Sequence, residues 1–145
     1  MRLTASEAGI RRIEFHPEEA PEGVRNDGSS ALAPAVRQLR AYFDGQLKEF
    51  DLALDLEGTA FQKRVWDELV KIPYGRTRSY RELACDIGAP KAIRAVGAAN
   101  GSNPAPIVVP CHRVIGSSGK LVGYGGGLEL KRRLLELEGC VVTLF

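Results

Sequence analysis

Residues 79–100 read SYRELACDIGAPKAIRAVGAAN, a stretch that predicts two short helices joined by a tight turn. Ser79 can cap the first helix, and Glu82, three residues later, completes a capping box. Gly88 suits the end of this helix and Pro90 the start of the next. The predicted helices span residues 79–87 and 90–100. Such a pair is typical of a helix-turn-helix, in which the second helix faces DNA, although most helix pairs are packing units.

The sequence on either side of this pair predicts an α+β fold with two lobes. An alternating stretch at residues 9–15 is typical of a strand in a small sheet, and it is the one clear strand near the N-terminus. Helical periodicity predicts further helices over residues 34–47, over 59–70 with Thr59 as N-cap, and from Leu128 to Gly139. We read residues 17–30 and 116–127 as loops. The N-terminal sheet and helix lobe, residues 1–55, therefore precedes a mainly helical C-terminal lobe, residues 56–145, with a winged-helix-like helix-turn-helix unit.

The charge of the chain is distributed unevenly. Residues 1–58 carry 7 Lys and Arg against 11 Asp and Glu, whereas residues 59–145 carry 13 against 7. Basic side chains lie on or beside the predicted helix pair: Arg76, Arg78, Arg81, Lys91 and Arg94. A local excess of positive charge favours a polyanionic partner such as a nucleic acid, although a solvated basic surface gives the same pattern.

Composition excludes several classes of protein. The 145 residues are 44% hydrophobic and 26% charged, which suits a globular chain and argues against disordered and fibrous classes. The sequence contains neither a bilayer-spanning apolar run nor an apolar leader, so we expect a soluble, cytoplasmic protein with no membrane partner. The three cysteines lack CxxC spacing, and with two histidines they form no recognisable zinc pattern. We expect reduced thiols, buried structural roles for Cys85 and Cys140, and no metal.

The sequence PCHRV at residues 110–114 places a cysteine beside a histidine after the apolar run 107–109. A free cysteine is mostly protonated at neutral pH, so Cys111 needs a base, which His112 can supply. Glu138 can hold the imidazole in the useful tautomer if the fold returns the last helix to it. Adjacent side chains usually point in different directions, so His112 can also act through a water. From these residues alone, hydrolysis and group transfer both remain open.

Two glycine-rich patterns do not form nucleotide sites. A phosphate loop ending at Lys120 would need a glycine where Val114 stands. The stretch 123–125 lacks the strand, the third glycine and the acidic residue of a dinucleotide fingerprint. We therefore expect no cofactor.

The motif and its surroundings resemble a known family. The matching residues are Phe61, Val65-Trp66, Pro73-Tyr74-Gly75, Ser79-Tyr80, Leu83-Ala84, Arg94-Ala95-Val96-Gly97, Asn103-Pro104, Pro110 to Val114, Gly123-Tyr124, Gly126-Gly127-Leu128, Lys131, Leu134-Leu135 and Glu138-Gly139. They are similar to those of the O6-alkylguanine-DNA alkyltransferases, also called methylated-DNA–protein-cysteine methyltransferases. The resemblance covers residues 59–139 almost continuously.

The resemblance implies an activity and a set of site residues. The family repairs O6-alkylguanine, and less efficiently O4-alkylthymine, by moving the alkyl group irreversibly to the cysteine that matches Cys111. Glu138 would orient His112 as a base acting through water. The other expected catalytic residues are Asn103, which would help hold the site, and Tyr80, which would protonate or hydrogen-bond the ring nitrogen of guanine. The residues expected to bind the base are Val114, Tyr124, Gly125, Pro106 and Lys131.

The resemblance also implies how the protein meets its substrate. The target base must leave the duplex, at a cost of a few kcal/mol. Arg94 would fill the vacated space as the family's arginine finger, from a helix lying in the minor groove. The residues expected to contact DNA are Arg94, Ala95, Ser79, Arg81, Gly97 and Asn100. The expected partner is double-stranded DNA containing O6-alkylguanine, and the expected state is a monomer with a shortened N-terminal lobe.

Three other functions compete with this interpretation. An alkyltransferase-like protein binds lesions without transfer, but such proteins lack the reactive cysteine. A helix-turn-helix regulator would prefer one DNA sequence over random duplex. A Cys-His hydrolase would turn over repeatedly on an ester or a peptide.

Overall fold

The computed structural model describes residues 1–15, 32–119, 121–124 and 126–140. The chain divides into two compact units, Met1–Glu57 and Gly58–Phe145. In chain order, the helices and strands are β1 (Arg2–Ala5), β2 (Ile10–Glu14), α1 (Leu32–Phe43), α2 (Ala60–Val70), β3 (Arg78–Ser79), α3 (Tyr80–Asp86), α4 (Ile93–Gly101), a 3-10 turn (Cys111–Arg113), β4 (Val114–Ile115) and α5 (Leu128–Leu137). The α+β class is confirmed. Within the described ranges, no helix combines the length and the apolar character that a membrane crossing requires.

The first unit contains one more strand than the sequence predicts. β1 and β2 pair antiparallel, with Leu3 opposite Ile13, so the expectation of a single clear strand is wrong. β1 is only four residues long and offers little alternation, which explains why its sequence gives a weak signal. A third extended segment joins this pair, because Ile10 donates from its amide to the Ala53 carbonyl at 2.9 Å.

α1 covers this unit with a buried face formed by Ala35, Leu39 and Tyr42. The helix ends at Phe43 and not at Leu47 as predicted. Gly45 follows with a φ of 74°, a left-handed conformation that glycine adopts without strain and that ends helices. The predicted loop at residues 17–30 lies outside the described residues.

The second unit begins with the predicted cap of α2. The Thr59 side chain accepts from the Gln62 amide at 3.1 Å, while the Gln62 side chain accepts from the Thr59 amide at 2.9 Å. This reciprocal pair satisfies two amides that the first turn leaves without partners. Trp66 is buried one turn further along α2 and donates from its indole to the Ala99 carbonyl at 2.9 Å. Trp66 is therefore part of the core of this unit.

The helix pair α3 and α4 forms where residues 79–100 predict it. Ser79 caps α3, and the predicted capping box with Glu82 is present. Gly88 turns the chain with a φ of 74°. α4 begins at Ile93, three residues after the predicted start at Pro90, because the Ala92 amide first closes a turn on the Ala89 carbonyl at 2.9 Å. The two helices pack against each other and against α2.

Candidate active site

The cysteine of the PCHRV motif lies at the start of the 3-10 turn Cys111–Arg113, after a buried segment that Asn103 holds in place. The Asn103 amide nitrogen donates to the Val109 carbonyl at 2.8 Å, and its oxygen accepts from the Ala105 amide at 3.0 Å. Between these contacts Ile107 has a φ of 76°, a left-handed conformation that costs a β-branched residue about 1–3 kcal/mol. The surrounding core retains it, since Ile107 is only 1% exposed.

His112 is fully buried and contacts Glu138, which follows α5 as its C-cap. The His112 Nε2 to Glu138 Oε2 distance is 2.7 Å. An ionised carboxylate only accepts hydrogen bonds, so Nε2 carries the hydrogen and Nδ1 keeps a lone pair. Nδ1 has no hydrogen-bond partner among the described residues. Glu138 therefore selects the tautomer in which Nδ1 is able to accept a proton.

The pKa of His112 lies below its usual value. Burial is the largest cause, since it disfavours the charged ring, and the positive charges of Arg113 and Lys131 act in the same direction. Glu138 opposes this lowering, but the net direction is downward. His112 is therefore a neutral imidazole at neutral pH.

The Cys111 thiol is 5% exposed. Burial raises its pKa, while hydrogen bonds from the Asn103 and Tyr124 side chains and the charge of Lys131 favour the thiolate and offset part of that rise. The net effect leaves a protonated thiol at neutral pH. Cys111 thus needs a base at the moment of reaction.

A buried ammonium group lies beside this thiol. Lys131, on α5, donates from Nζ to the carbonyls of Val122 and Gly123 at 3.1 and 3.2 Å. Tyr80 donates from its hydroxyl to the same Val122 carbonyl at 3.1 Å, and Lys131 Nζ lies 5.9 Å from the centre of the Tyr80 ring. Burial raises the pKa of Tyr80, so its hydroxyl keeps its proton and remains a donor. These two side chains fix the segment that leads to Tyr124.

Replacing Lys131 with methionine should stabilise the fold at neutral pH. Burial lowers the pKa of Lys131 from 10.5 to about 8, which corresponds to about 3 kcal/mol of unfavourable charge burial. Methionine carries no charge and avoids this unfavourable free energy, but it loses two hydrogen bonds of about 1 kcal/mol each. We therefore expect Lys131→Met to raise the free energy of unfolding at pH 7 by about 1 kcal/mol.

The pH dependence gives this prediction its control. The folded chain releases the Lys131 proton near pH 8 and the unfolded chain near pH 10.5, so the penalty is complete below pH 8 and is relieved as pH rises between these values. Urea unfolding should show the stability advantage of Lys131→Met disappearing across this range. An advantage that is absent at pH 7, or unchanged at high pH, would contradict the assignment of a buried charge.

The outer face of the second unit is basic and lined with small side chains. Arg94, Ala95 and Ala98 are exposed on α4, and Arg81 is exposed on α3. A side-chain carbon built at Gly97 would come no closer than 3.9 Å to another group of the chain, the Tyr80 ring. The exposed basic side chains here form no ion pair with an acid in the described part of the chain; they are Arg76, Arg81, Lys91 and Arg94. This face presents positive charge and closely approachable backbone.

Some residues lie in surroundings that differ from those that the sequence predicts. Ser79 and Asn100, expected at DNA, are 9% and 5% exposed: the Ser79 side chain caps α3, and the Asn100 side chain points to the Cys111 carbonyl at 3.5 Å. Cys85, expected to be buried, is exposed on α3. Gly125 lies outside the described residues. The expectation that Cys85 is buried is therefore wrong, whereas the Ser79 and Asn100 side chains make their contacts inside the second unit.

The remaining base-binding predictions fall close to the turn. Val114 is buried directly after it and pairs in β4 with Arg78 of β3, in a parallel register. Pro106 is buried in the segment before it and bridges to Val109. The structure thus brings the predicted catalytic cysteine, its histidine and Glu138 into one buried cluster.

One buried charge in this cluster has no role in the sequence interpretation. Arg113 is 6% exposed and contacts both carboxylate oxygens of Glu138. The signal that could have found it is an arginine within an otherwise apolar segment, because a buried guanidinium requires a buried partner.

Comparisons with known proteins identify the family of the chain. Residues 60–140 match the model of the 6-O-methylguanine DNA methyltransferase DNA-binding domain. Residues 1–56 match the ribonuclease-like domain of the same family. The second match covers the first unit, which supports the reading of both units as parts of one kind of protein.

Individual relatives extend the match to most of the chain. A methylated-DNA–protein-cysteine methyltransferase of Mycobacterium bovis is 68% identical over 108 residues, which are 74% of this chain and 66% of that protein. The enzyme of that name from Methanosarcina acetivorans is 52% identical over 94% of this chain and 90% of its own length. A crystal structure of Mycobacterium tuberculosis OGT in complex with DNA superposes with a TM-score of 0.85 and 52% identity, covering 94% of this chain and 85% of that one. The chain belongs to the 6-O-methylguanine DNA methyltransferase family.

Proposed function

We propose that this protein repairs alkylated DNA directly, by moving an alkyl group from O6 of guanine in double-stranded DNA to Sγ of Cys111. The observation that carries the proposal is a buried, protonated thiol followed in the sequence by a neutral histidine. Glu138 binds Nε2 of that histidine, so Nδ1 is left with a lone pair that can accept a proton. O4-alkylthymine is a slower substrate of the same chemistry. The mycobacterial relative crystallised with DNA supports DNA as the partner.

The transfer is a displacement at carbon. The Cys111 proton passes through a water to His112 Nδ1 as Sγ attacks the alkyl carbon. The new carbon–sulfur bond forms as the carbon–O6 bond breaks, and the electron pair of that bond remains on the guanine. Tyr80 gives its hydroxyl proton to the guanine ring, and the proton taken up by His112 passes through solvent to the Tyr80 oxygen, so that both side chains return to their starting state. The products are guanine in DNA and S-alkylcysteine, and the reaction requires no cofactor.

The resting state of Cys111 suits a nucleophile that is used once. A protonated, buried thiol reacts slowly with dissolved oxidants and alkylating agents, because the thiolate is the reactive form. A thioether has no good leaving group, so the alkyl group stays on the protein after transfer. Each molecule therefore repairs one base.

The base pocket is built from the residues around the turn. Val114 and the Cys111 backbone would meet the exocyclic amine, while Tyr124, Gly125 and Pro106 would line the walls. Lys131 contributes in two ways: its ammonium favours the thiolate, and its bonds to Val122 and Gly123 hold the wall segment. Asn103 fixes the segment that leads to Cys111.

The exposed face of α4 is the proposed DNA surface. The small side chain of Ala95 and the absent side chain of Gly97 let the backbone approach the minor groove, and Arg94 enters the stack when the base leaves it. Arg81 and the other exposed basic side chains of this face contact phosphates without regard to sequence, which suits a protein that must find damage anywhere. Ser79 and Asn100, being internal, act by supporting α3 and the Cys111 turn.

Arg94→Ala should separate base flipping from DNA binding. Without a side chain to fill the vacated space, transfer from methylguanine in a duplex should slow about tenfold or more, because the flipped state loses part of its compensation for unstacking. Affinity for undamaged duplex should fall only slightly, since one of several cationic contacts is lost. Single-turnover rates and fluorescence anisotropy measure the two effects.

Single-stranded DNA is the internal control for Arg94. Its methylguanine is not held in a duplex, so Arg94→Ala should repair it at nearly the wild-type rate. An equal loss of rate on single and double strands would show that Arg94 does not act in flipping.

We assign residues 56–145 to DNA binding and transfer and residues 1–55 to their support, in a monomer. Since the substrate is chromosomal DNA, we place the protein in the cytoplasm, at the nucleoid when it acts.

A stoichiometric assay tests the function. With O6-methylguanine duplex in excess, repaired guanine should rise to one per protein molecule and stop, without added cofactor. An unchanged lesion bound tightly would indicate an alkyltransferase-like protein. Continued turnover would contradict the single-use mechanism.

A further inference from the structure

Arg113 is a buried cation bound to the carboxylate that orients the proposed base. Its Nε donates to Glu138 Oε1 at 2.7 Å and its Nη2 donates to Glu138 Oε2 at 3.1 Å. This forked arrangement matches two guanidinium donors to two carboxylate oxygens. Glu138 Oε2 also accepts a hydrogen bond from His112 Nε2 at 2.7 Å, so the same carboxylate binds both the guanidinium and the imidazole.

The rest of the guanidinium is held just as firmly. Nη1 donates to the Ile72 carbonyl at 2.6 Å, where the chain leaves α2. The guanidinium carbon lies 5.7 Å from the centre of the Tyr74 ring, and the Tyr74 hydroxyl donates to the Leu137 carbonyl at 3.2 Å. Arg113 therefore fixes the end of α5, and with it Glu138, against the turn that follows α2.

Charge balance explains why such a pair matters to His112. A buried carboxylate that faces only an imidazole would favour protonation of the ring, because a buried ion pair has a lower free energy than a buried single charge. An arginine is always protonated, so the Arg113–Glu138 pair is neutral without any proton on His112. An imidazolium at His112 could not accept a proton from Cys111.

Three charged groups in the described part of the chain act on the pKa of His112. Glu138 and Lys131 face it from α5, and Arg113 adjoins it in the turn. α2 also packs against the turn, and its buried side chains are apolar: Val65, Trp66 and Leu69. Glu138 raises the pKa of His112, while burial and the charges of Arg113 and Lys131 lower it.

We propose that Arg113 is a positioning residue for alkyl transfer: by binding Glu138 through both oxygens it leaves His112 neutral and keeps Nδ1 without a hydrogen, ready to accept a proton. The proposal rests on the proposed function for its catalytic meaning. Its physical content, the protonation state of His112, is measurable without any transfer.

Titration of His112 by NMR tests the proposal. The chain has two histidines, His16 and His112, so a His16→Gln background leaves one imidazole to observe. Arg113→Met should move the His112 titration to higher pH by about one unit or more, because Glu138 then loses the guanidinium that balances its charge. Removing the carboxylate as well, in Arg113→Met/Glu138→Gln, should move it back down. A titration that does not move in Arg113→Met overturns the proposal.

Arg113→Lys covers the case in which Arg113→Met does not fold. Lysine keeps the positive charge, but its ammonium cannot bind both carboxylate oxygens in the way that a guanidinium does. The His112 titration should therefore fall between those of the wild type and Arg113→Met. Where only Arg113→Lys folds, a titration unchanged from that of the wild type overturns the proposal.

The pH dependence of transfer supplies the functional readout. In single-turnover assays, the acidic limb of the rate profile should shift to higher pH in Arg113→Met together with the titration. A purely structural role would lower the rate at every pH without moving the limb. If the wild-type protein transfers no methyl group, the proposed function fails, while the titration still decides the role of Arg113.

Discussion

Cys111→Ser should transfer no alkyl group while it binds O6-methylguanine duplex as tightly as the wild type. A serine hydroxyl ionises far less readily than a thiol, and a neutral imidazole does not generate enough alkoxide for attack on an unactivated alkyl carbon. The variant changes one buried atom and leaves the outer face of α4 intact. Loss of O6-methylguanine from the duplex measures transfer, and fluorescence anisotropy measures binding.

Cys85→Ser is the matched control, because Cys85 is the exposed thiol on α3. It should repair DNA at the wild-type rate and with the same stoichiometry. Transfer that persists in Cys111→Ser, or that is lost in Cys85→Ser, would show that Cys111 is not the acceptor.

Glu138→Gln should damage both stability and transfer. The amide leaves the buried Arg113 guanidinium without a counter-charge, which costs about 3–5 kcal/mol in comparable buried pairs. An amide group can also donate to His112 Nε2 and favour the opposite tautomer, with its hydrogen on Nδ1. We expect transfer to slow by about a hundredfold or more, because the general base is then lost.

Glu136→Gln serves as the control, since Glu136 is an exposed acid on the same helix that pairs with Arg132. Its free energy of unfolding should change by no more than about 0.5 kcal/mol. Urea unfolding and single-turnover rates compare the two variants. A Glu138→Gln protein as stable and as fast as Glu136→Gln would remove Glu138 from both roles.

Local signals in the sequence predicted the elements that depend on neighbours in the chain. The starts of α2 and α3 follow from Thr59 with Gln62 and Ser79 with Glu82, where a cap side chain and its reciprocal partner lie three residues apart. α1 was predicted too long because apolar spacing continues to Leu47, whereas the backbone has already turned at Gly45. β1 escaped prediction because four residues carry too little periodicity.

The parts of the site that depend on contacts between distant residues could not be predicted from local sequence patterns. The family resemblance implied that Glu138 returns to His112, 26 residues away, and the 2.7 Å contact is present. An arginine within an apolar segment indicates a buried partner but does not say that Arg113 forks onto the same carboxylate, and the left-handed backbone of Ile107 had no local signal. The internal positions of Ser79 and Asn100 likewise depend on how α3, α4 and the turn pack together. A motif names residue types, but burial and charge balance arise only in the fold.

The most direct test of the account is mass spectrometry of the protein after it has reacted with O6-methylguanine duplex. The account predicts that the peptide containing Cys111 gains one methyl group, in the same molar amount as guanine restored in the DNA, and that the peptides containing Cys85 and Cys140 stay unmodified. An unmodified Cys111 in folded protein whose DNA has been repaired, or a methyl group on any other residue, would contradict it.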